Sequence, residues 1–298
     1  MAANVRRCEN CGATVRLPDE TLSLRCAFCD SPLVDVNGDE EPVERVVSFT
    51  VERERAARAL RRYLAGRWFA PESVRKATSP SSLRSVLVPF YAFDAETETR
   101  FSATVGIHWW RTEHYTAMEG GKSVQKTRRV QETDWHDLSG SHKGQWFDHL
   151  VSASRGLSDT EMRGLAPYDL GRSVPWSAAR VAGLEAERPM IDHATAEASA
   201  RQSVRDRAET QVRERHLPGD VTGDVRCRTK LELSGFRLVL LPVWIAVVPS
   251  PHGELRLLVN GQTGQTTGEV PTSWRKVGLL MVLGLVLMAV LVGLGGSG

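Results

Sequence analysis

The chain is short of three things: lysine, net charge, and cysteine outside one stretch near its start. Of 38 basic residues only 6 are lysine, and Lys+Arg exceed Asp+Glu by 38 to 36. A balance this close excludes a chain-wide cationic coat for a polyanion and leaves only local patches for that purpose. The arginine excess is read as codon composition and carries no functional weight. Five cysteines, four of them clustered and Cys227 alone, do not form the even framework of a small secreted domain, so a reducing compartment is expected. The first residues, MAANVRRCEN, lack an apolar h-region, so no signal peptide is expected.

Catalytic signatures are scarce as well. Gly121, Lys122 and Ser123 imitate the tail of a phosphate-binding loop, but Thr116 stands where the motif needs glycine, and a strand-like stretch follows where it needs a helix. The eight histidines are scattered. DWHD at 134–137 and the pair Asp148, His149 place carboxylates beside imidazoles, without an accompanying metalloprotease or hydrolase motif. GSHKG at 140–144 has His142 where a nucleophile would sit. Surface or hydrogen-bonded histidine is the expectation for each, and no enzyme is expected. Cys227 reads as a small, partly buried thiol, and Trp109, Trp135, Trp146 and Trp244 as core or sheet-face residues.

What the chain does have begins at residue 8. CENCGATVRLPDETLSLRCAFC holds Cys8 and Cys11, then Cys26 and Cys29, two CxxC pairs separated by 14 residues. Such knuckles converge four thiolates on one tetrahedral Zn2+, and four ligands leave no open position for metal catalysis. A structural zinc is expected. Within residues 1–36 four basic residues face five acidic ones, with Phe28 as the lone aromatic, so the module lacks the basic surface and stacking platforms of a nucleic-acid reader. A module this small has almost no core, so loss of metal is expected to unfold it.

Farther along, VNGDEEPVE at 36–44 reads as a linker. VVSFTV suggests a strand, and ERERAARALRRYLAGRWF at 52–69 a helix with Ala56, Leu60, Tyr63 and Leu64 on one face. Arg53, Arg55, Arg58, Arg61 and Arg62 on its other face read first as a solvated surface and second as a contact for anionic lipid. Residues 85–106 and 239–261 echo one another, each running aliphatic, proline, aromatic, polar turn, strand, and are read as two related strand-turn-strand units. A helix is expected after Asp192, through Ala198, Arg201, Val204, Ala208 and Val212 to Pro218. Val277 to Leu294 is 18 residues without a polar side chain, long enough for ~27 Å of helix, preceded by Trp274, Arg275 and Lys276. This predicts a transmembrane helix at 277–296 with the body in the cytoplasm. The fold class is therefore α+β: a four-cysteine zinc ribbon at 1–36, a linker at 37–45, an antiparallel-sheet-rich body at 46–272, and one membrane helix.

The ribbon, LVPFYAF and LLPVWIAV, DWHDLSG, FDHLVSASRGLSD, APYDL, and NGQTG before the apolar tail together resemble a family of bacterial membrane-anchored proteins with a transcription-factor-B-type zinc ribbon. Its members are often labelled as a primosomal helicase or replication factor Y, a label that the missing phosphate-binding loop contradicts here. The sequence departs from the family knuckle in having Glu9 where proline is frequent and Asp30 after the last cysteine. The resemblance implies a role in envelope maintenance, with a phage-shock-type membrane-coat protein as partner, and it carries over Cys8, Cys11, Cys26 and Cys29 as site residues. Two function classes follow. The favoured one is a tail-anchored zinc-ribbon adaptor or scaffold at the cell membrane that binds protein, with oligomers allowed; the alternative is a membrane-associated nucleic-acid-binding regulator.

Overall fold

The computed structural model describes residues 5–16, 18–35, 42–71, 74, 83–120, 122–250 and 253–274, and of the C-terminal stretch 276, 278, 280–282, 284 and 288. Its strands are β1 (Val5–Arg7), β2 (Thr14–Arg16), β3 (Thr21–Arg25), β4 (Pro32–Val34), β5 (Arg45–Val46), β6 (Leu83–Glu119), β7 (Lys122–Ser152), β8 (Val174–Pro175), β9 (Glu185–Glu187), β10 (Val221–Ser250), β11 (Gly253–Asn260) and β12 (Thr266–Thr267). The helices are α1 (Arg53–Ala65), α2 (Asp159–Leu165), α3 (Ala178–Val181) and α4 (His193–Arg215). The chain divides into two compact units. The first holds 1–91, 151–193 and 237–298, the second 92–150 and 194–236.

In the first unit the mixed sheet runs β12-β11-β10-β6-β9-β3-β4. Its two central strands carry the echoed segments, and Leu87, Val88, Phe90, Tyr91, Leu240, Leu241 and Val243 are all buried. Proline in a central strand removes a ladder donor, yet Pro89 and Pro242 both lie there. The sheet accommodates them by changing partner at each. Before Pro89, β6 pairs in parallel with β9 at Val86 and Leu87; at Pro89 its carbonyl accepts from Ala153, just past β7. Before Pro242, β10 pairs in parallel with β5 at Val239 and Leu240; from Val243 onward it pairs antiparallel with β11. The echo therefore marks two places where one neighbouring strand ends and another begins.

Helix α1 covers one face. Ala56, Ala57, Leu60 and Leu64 pack into a cluster with Val51, Trp244, Val248 and Leu257, while the arginines at 53, 55, 58, 61 and 62 stay exposed. Trp244 donates its indole N–H to the Val51 carbonyl at 2.8 Å, so its polar edge is paired within the apolar cluster. Asn260, fully buried, closes the NGQTG turn: its amide donates to the Leu165 and Pro167 carbonyls, and its Oδ1 accepts from the Gln262 and Thr263 amides.

The second unit holds β6 from Ala92 onward, most of β7, the first half of β10, and α4 from Ala194. Residues 94–100, read from the sequence as a turn, continue β6 without a break. Thr97 and Thr99 are buried while Glu96 and Arg100 are exposed, so the charged stretch is a strand with a polar outer face and threonines inside. The buried Thr99 hydroxyl is satisfied by a hydrogen bond with half-buried Thr229 at 3.0 Å. Strand glycines make room for rings: a Cβ on Gly140 would meet the Phe101 ring at 2.8 Å. VVSFTV, by contrast, yields only the two-residue β5.

The C-terminal expectation is corrected. Among the described residues no helix is long and apolar enough to cross a membrane. The single transmembrane helix expected at 277–296, and the cell-membrane location built on it, fall with that finding; residues 277, 279, 283, 285–287 and 289–298 lie outside the described residues, as do 36–41 of the expected linker. Lys276, expected to flank a bilayer, instead donates to the carbonyls of Trp68 and Ala70 at 2.9 and 2.7 Å.

His149 gives the second unit an acid-sensitive point. Its Nε2 lies 2.6 Å from Ser203 Oγ and its Nδ1 3.4 Å from Arg207, so the ring fits as a neutral imidazole. Burial and the Arg207 charge lower its pKa from 6.5 to about 4. The unfolded chain therefore binds more protons across that window. The stability that results is complete above about 6.5 and is lost as pH falls toward 4, to the extent of about 3 kcal/mol at most. Urea unfolding at pH 7 and pH 4.5 should show a smaller loss for His149→Gln than for the parent chain; equal losses would refute the assignment.

Candidate metal centre

Each half of the cysteine segment folds as the same small device. Cys8 donates its amide to the Ala13 carbonyl, and its own carbonyl accepts from Gly12, both at 2.8 Å. Cys26 repeats this with Ser31 at 2.8 Å and Asp30 at 2.9 Å. In both knuckles the residue after the second cysteine has a left-handed backbone, with φ 73 at Gly12 and 59 at Asp30. Glycine adopts this freely and aspartate tolerates it better than most. Asp30 is therefore compatible with the turn, and its carboxylate also accepts from Arg25 at 2.7 Å. The arginine before each first cysteine reaches five residues on, Arg7 to the Gly12 carbonyl at 3.3 Å and Arg25 to that of Asp30 at 3.2 Å. The two knuckles are thus related by pattern down to their buttressing side chains.

The device brings the four sulfurs together. Sγ atoms of Cys8, Cys11, Cys26 and Cys29 all lie within 4.8 Å of one another, with Cys8–Cys29 at 3.6 Å and Cys11–Cys26 at 3.8 Å. A tetrahedron with ~2.3 Å metal–sulfur bonds has sulfur–sulfur edges of ~3.8 Å, so the cluster can hold a metal ion and is consistent with zinc. Cys8 and Cys26 are buried beside Leu33, and Cys11 is exposed. Without a cation the thiols compete. Hydrogen bonds from the Ser31 side chain and backbone hold Cys29 down at about 6. Cys11 is pushed up to about 12: the Ala13 amide opposes the shift, but Cys29, burial and the other two thiols outweigh it. Four thiolates at this spacing call for a divalent cation to offset their repulsion.

The segment is tied to the sheet. Strand β3 pairs antiparallel with β4 on one side and with β9 on the other. Ser23, fully buried, donates to the Val181 carbonyl of α3. Asp35, 2% exposed, is gripped by Arg6 of β1 and by Arg188 beyond β9, the latter at 2.7 Å. By contrast, β1 and β2 pair only with each other.

Comparison with known proteins finds a relative and no family. An uncharacterized protein of Bacillus subtilis (strain 168), YdjG, is 25% identical over 240 residues. Those residues are 78% of this chain and 65% of the relative, so the chain spans just under two thirds of that protein's length. No protein-family model matches the chain, and no solved structure matches it.

The other residues singled out from the sequence do not assemble into a site. Asp134, His136 and Asp137 are exposed along β7, and Lys122 and Ser123 are exposed at its start. His142 instead pairs with His216 at 2.9 Å and with Gln211 at 3.1 Å, a contact between β7 and α4 that no spacing in the sequence announced. Cys227 is half-buried on β10, and burial raises its pKa. Of the four strand tryptophans only Trp244 is buried; Trp109 and Trp135 are exposed. The Asp35 clasp was missed, since a lone aspartate ahead of an acidic linker carries no signal.

Two outcomes are expected. Chelation should speed hydrogen exchange at the amides of 5–16, whose strands depend on each other and the metal, while 21–25 stays protected by β9; uniform exposure of both would show that the sheet does not hold β3. Asp35→Asn removes the charge offsetting two arginines and should destabilise the chain by about 3 kcal/mol, near the low end for broken buried pairs because Arg6 is partly exposed. Denaturant unfolding measures it.

Proposed function

We propose that this protein is a non-catalytic adaptor whose zinc-held ribbon presents a surface for another protein. The observation that carries this reading is Phe28. It stands between the ligands Cys26 and Cys29, 74% exposed, on a knuckle positioned by β3 and, through the Arg25–Asp30 contact, by its own turn. A large apolar side chain standing in water on a hydrogen-bonded turn offers the apolar area that a binding anchor buries on docking. The metal in this reading is Zn2+ and structural. Its four thiolate ligands leave no coordination position for substrate, and the exposed Asp134, His136 and Asp137 on one strand have no partner geometry for acid–base chemistry. The resemblance to proteins with transcription-factor-B-type ribbons supports the zinc assignment. The balance of charge within the ribbon favours protein over nucleic acid as its target.

Site-specific photo-crosslinking tests the adaptor role. A photoreactive phenylalanine at position 28 should capture a discrete protein in cells, competed by untagged parent chain and lost when Cys26 is changed to Ser. The same group at the exposed Arg62 of α1 should not capture it. Equal capture from both positions, or capture that survives Cys26→Ser, would overturn the proposal. Metal analysis of the purified chain should accompany it, with zinc bound by the parent and lost in the Cys26→Ser variant.

A further inference from the structure

The distal part of the β6–β7 hairpin is unlike the rest of the molecule. The third strand of the second unit ends its contact early: Asp220, immediately before β10, donates its amide to the Gly106 carbonyl and its carboxylate accepts from the His108 amide. Beyond that point β6 and β7 continue as a two-stranded ribbon closed at Gly120, whose φ is 58. A two-stranded ribbon in water has no face to bury and is marginal without a partner. Here residues 109–112, 114–116, 122–125 and 127–129 are exposed, so side chains of both faces meet solvent.

Its composition tells what that partner is. Between 109 and 130 stand five Lys/Arg and two Asp/Glu, while the chain as a whole is nearly neutral at 38 to 36. One of the two acids, Glu113, is already engaged by Arg128 at 2.7 Å, and Arg111 is held by Glu132 at 2.7 Å. Aromatic rings on β6 meet arginines of β7, one pair on each face of the ribbon. Arg129 lies over Trp110 at 5.3 Å and Arg128 over Tyr115 at 5.5 Å, which holds exposed rings and guanidinium groups as preformed platforms. An acidic peptide would satisfy the charge but would leave Trp110 and Tyr115 without a planar partner. A single-stranded nucleic acid satisfies both, with phosphates on the cations and bases on the rings.

We propose that the distal β6–β7 ribbon binds single-stranded nucleic acid without strong sequence preference, the strand wrapping the ribbon so that bases stack on Trp110 on one face and Tyr115 on the other, with phosphate contacts to Arg129 on the first face and Lys122 on the second. This surface is separate from the cysteine segment and does not depend on the adaptor reading.

The test uses the full zinc-loaded chain and a fluorescent oligothymidylate, read by anisotropy over a salt series. Binding at low salt that weakens steeply as salt rises is expected. Trp110→Ala with Tyr115→Ala should weaken it about tenfold or more. Lys122→Gln with Arg129→Gln should reduce the slope of log affinity against log salt by about 1 to 1.5. Trp110→Leu with Tyr115→Leu keeps the ribbon apolar, so if the alanine pair disturbs folding this pair decides, with the same loss expected. No binding at low salt would overturn the proposal. So would full affinity in the leucine pair, equal affinity for blunt duplex DNA, or equal affinity for polyglutamate, the last assigning the ribbon to acidic protein.

Discussion

Everything in the first unit hangs on the pairing of β6 with β10. These strands run through the middle of the sheet and bury nearly every side chain from 86 to 93 and from 238 to 246. A buried strand must pair its backbone donors and acceptors on both edges, and each of these two contains a proline that removes one donor. The solution is the same in both: the outer partner changes at the proline, from β9 to the segment after β7 on one side and from β5 to β11 on the other. Short strands that would be of little use alone, β5 and β9, exist because these edges need them. Through β9 the requirement reaches β3, and through β3 the cysteine segment.

That chain of dependence changes how the metal centre is understood. The sulfur spacing can hold a metal ion and is consistent with zinc. The sheet, however, supplies β3 with a neighbour, and Arg188 supplies Asp35 with a second cation. The first half of the module is joined to the rest by the cysteine cluster and the Arg6–Asp35 contact, the second half by the sheet as well. Phe28 stands exposed on a turn that the Cys26–Ser31 and Arg25–Asp30 contacts hold in place. The second unit shows the complementary condition. Where β10 stops accompanying β6, no third strand among the described residues follows the hairpin, and its rings and cations pair across the ribbon while standing exposed to solvent.

How much of this was legible varies with how local the cause is. The cysteine cluster was readable because CxxC spacing encodes its own turn; Gly12 and even Asp30 occupy the position that turn demands. Helix α1 was readable from periodicity, and so was α4, where Val204, Ala208 and Val212 of the expected run are buried, while Ala198 is exposed and the first turns bury Ala196 and Ala200 instead. The run DAETETR misled because its charges suggested a turn, whereas a strand can carry Glu96 and Arg100 outward if Thr97 and Thr99 find partners inward, and Thr229 is 130 residues away. The apolar tail misled in the same direction: a hydrophobic run states a length and a composition, and the described residues there form no helix able to cross a membrane.

The sequence by itself determined the thiolate tetrahedron, the amphipathic helices and the two proline-bearing core strands, because each depends on residues within one or two turns of chain. Only the tertiary structure decided that those strands are neighbours, that Asp35 is clasped by Arg6 and Arg188, and that a nearly neutral chain gathers cations and rings on one free ribbon. Those outcomes depend on which distant segments share a backbone ladder and which are left without one, and no local pattern records that.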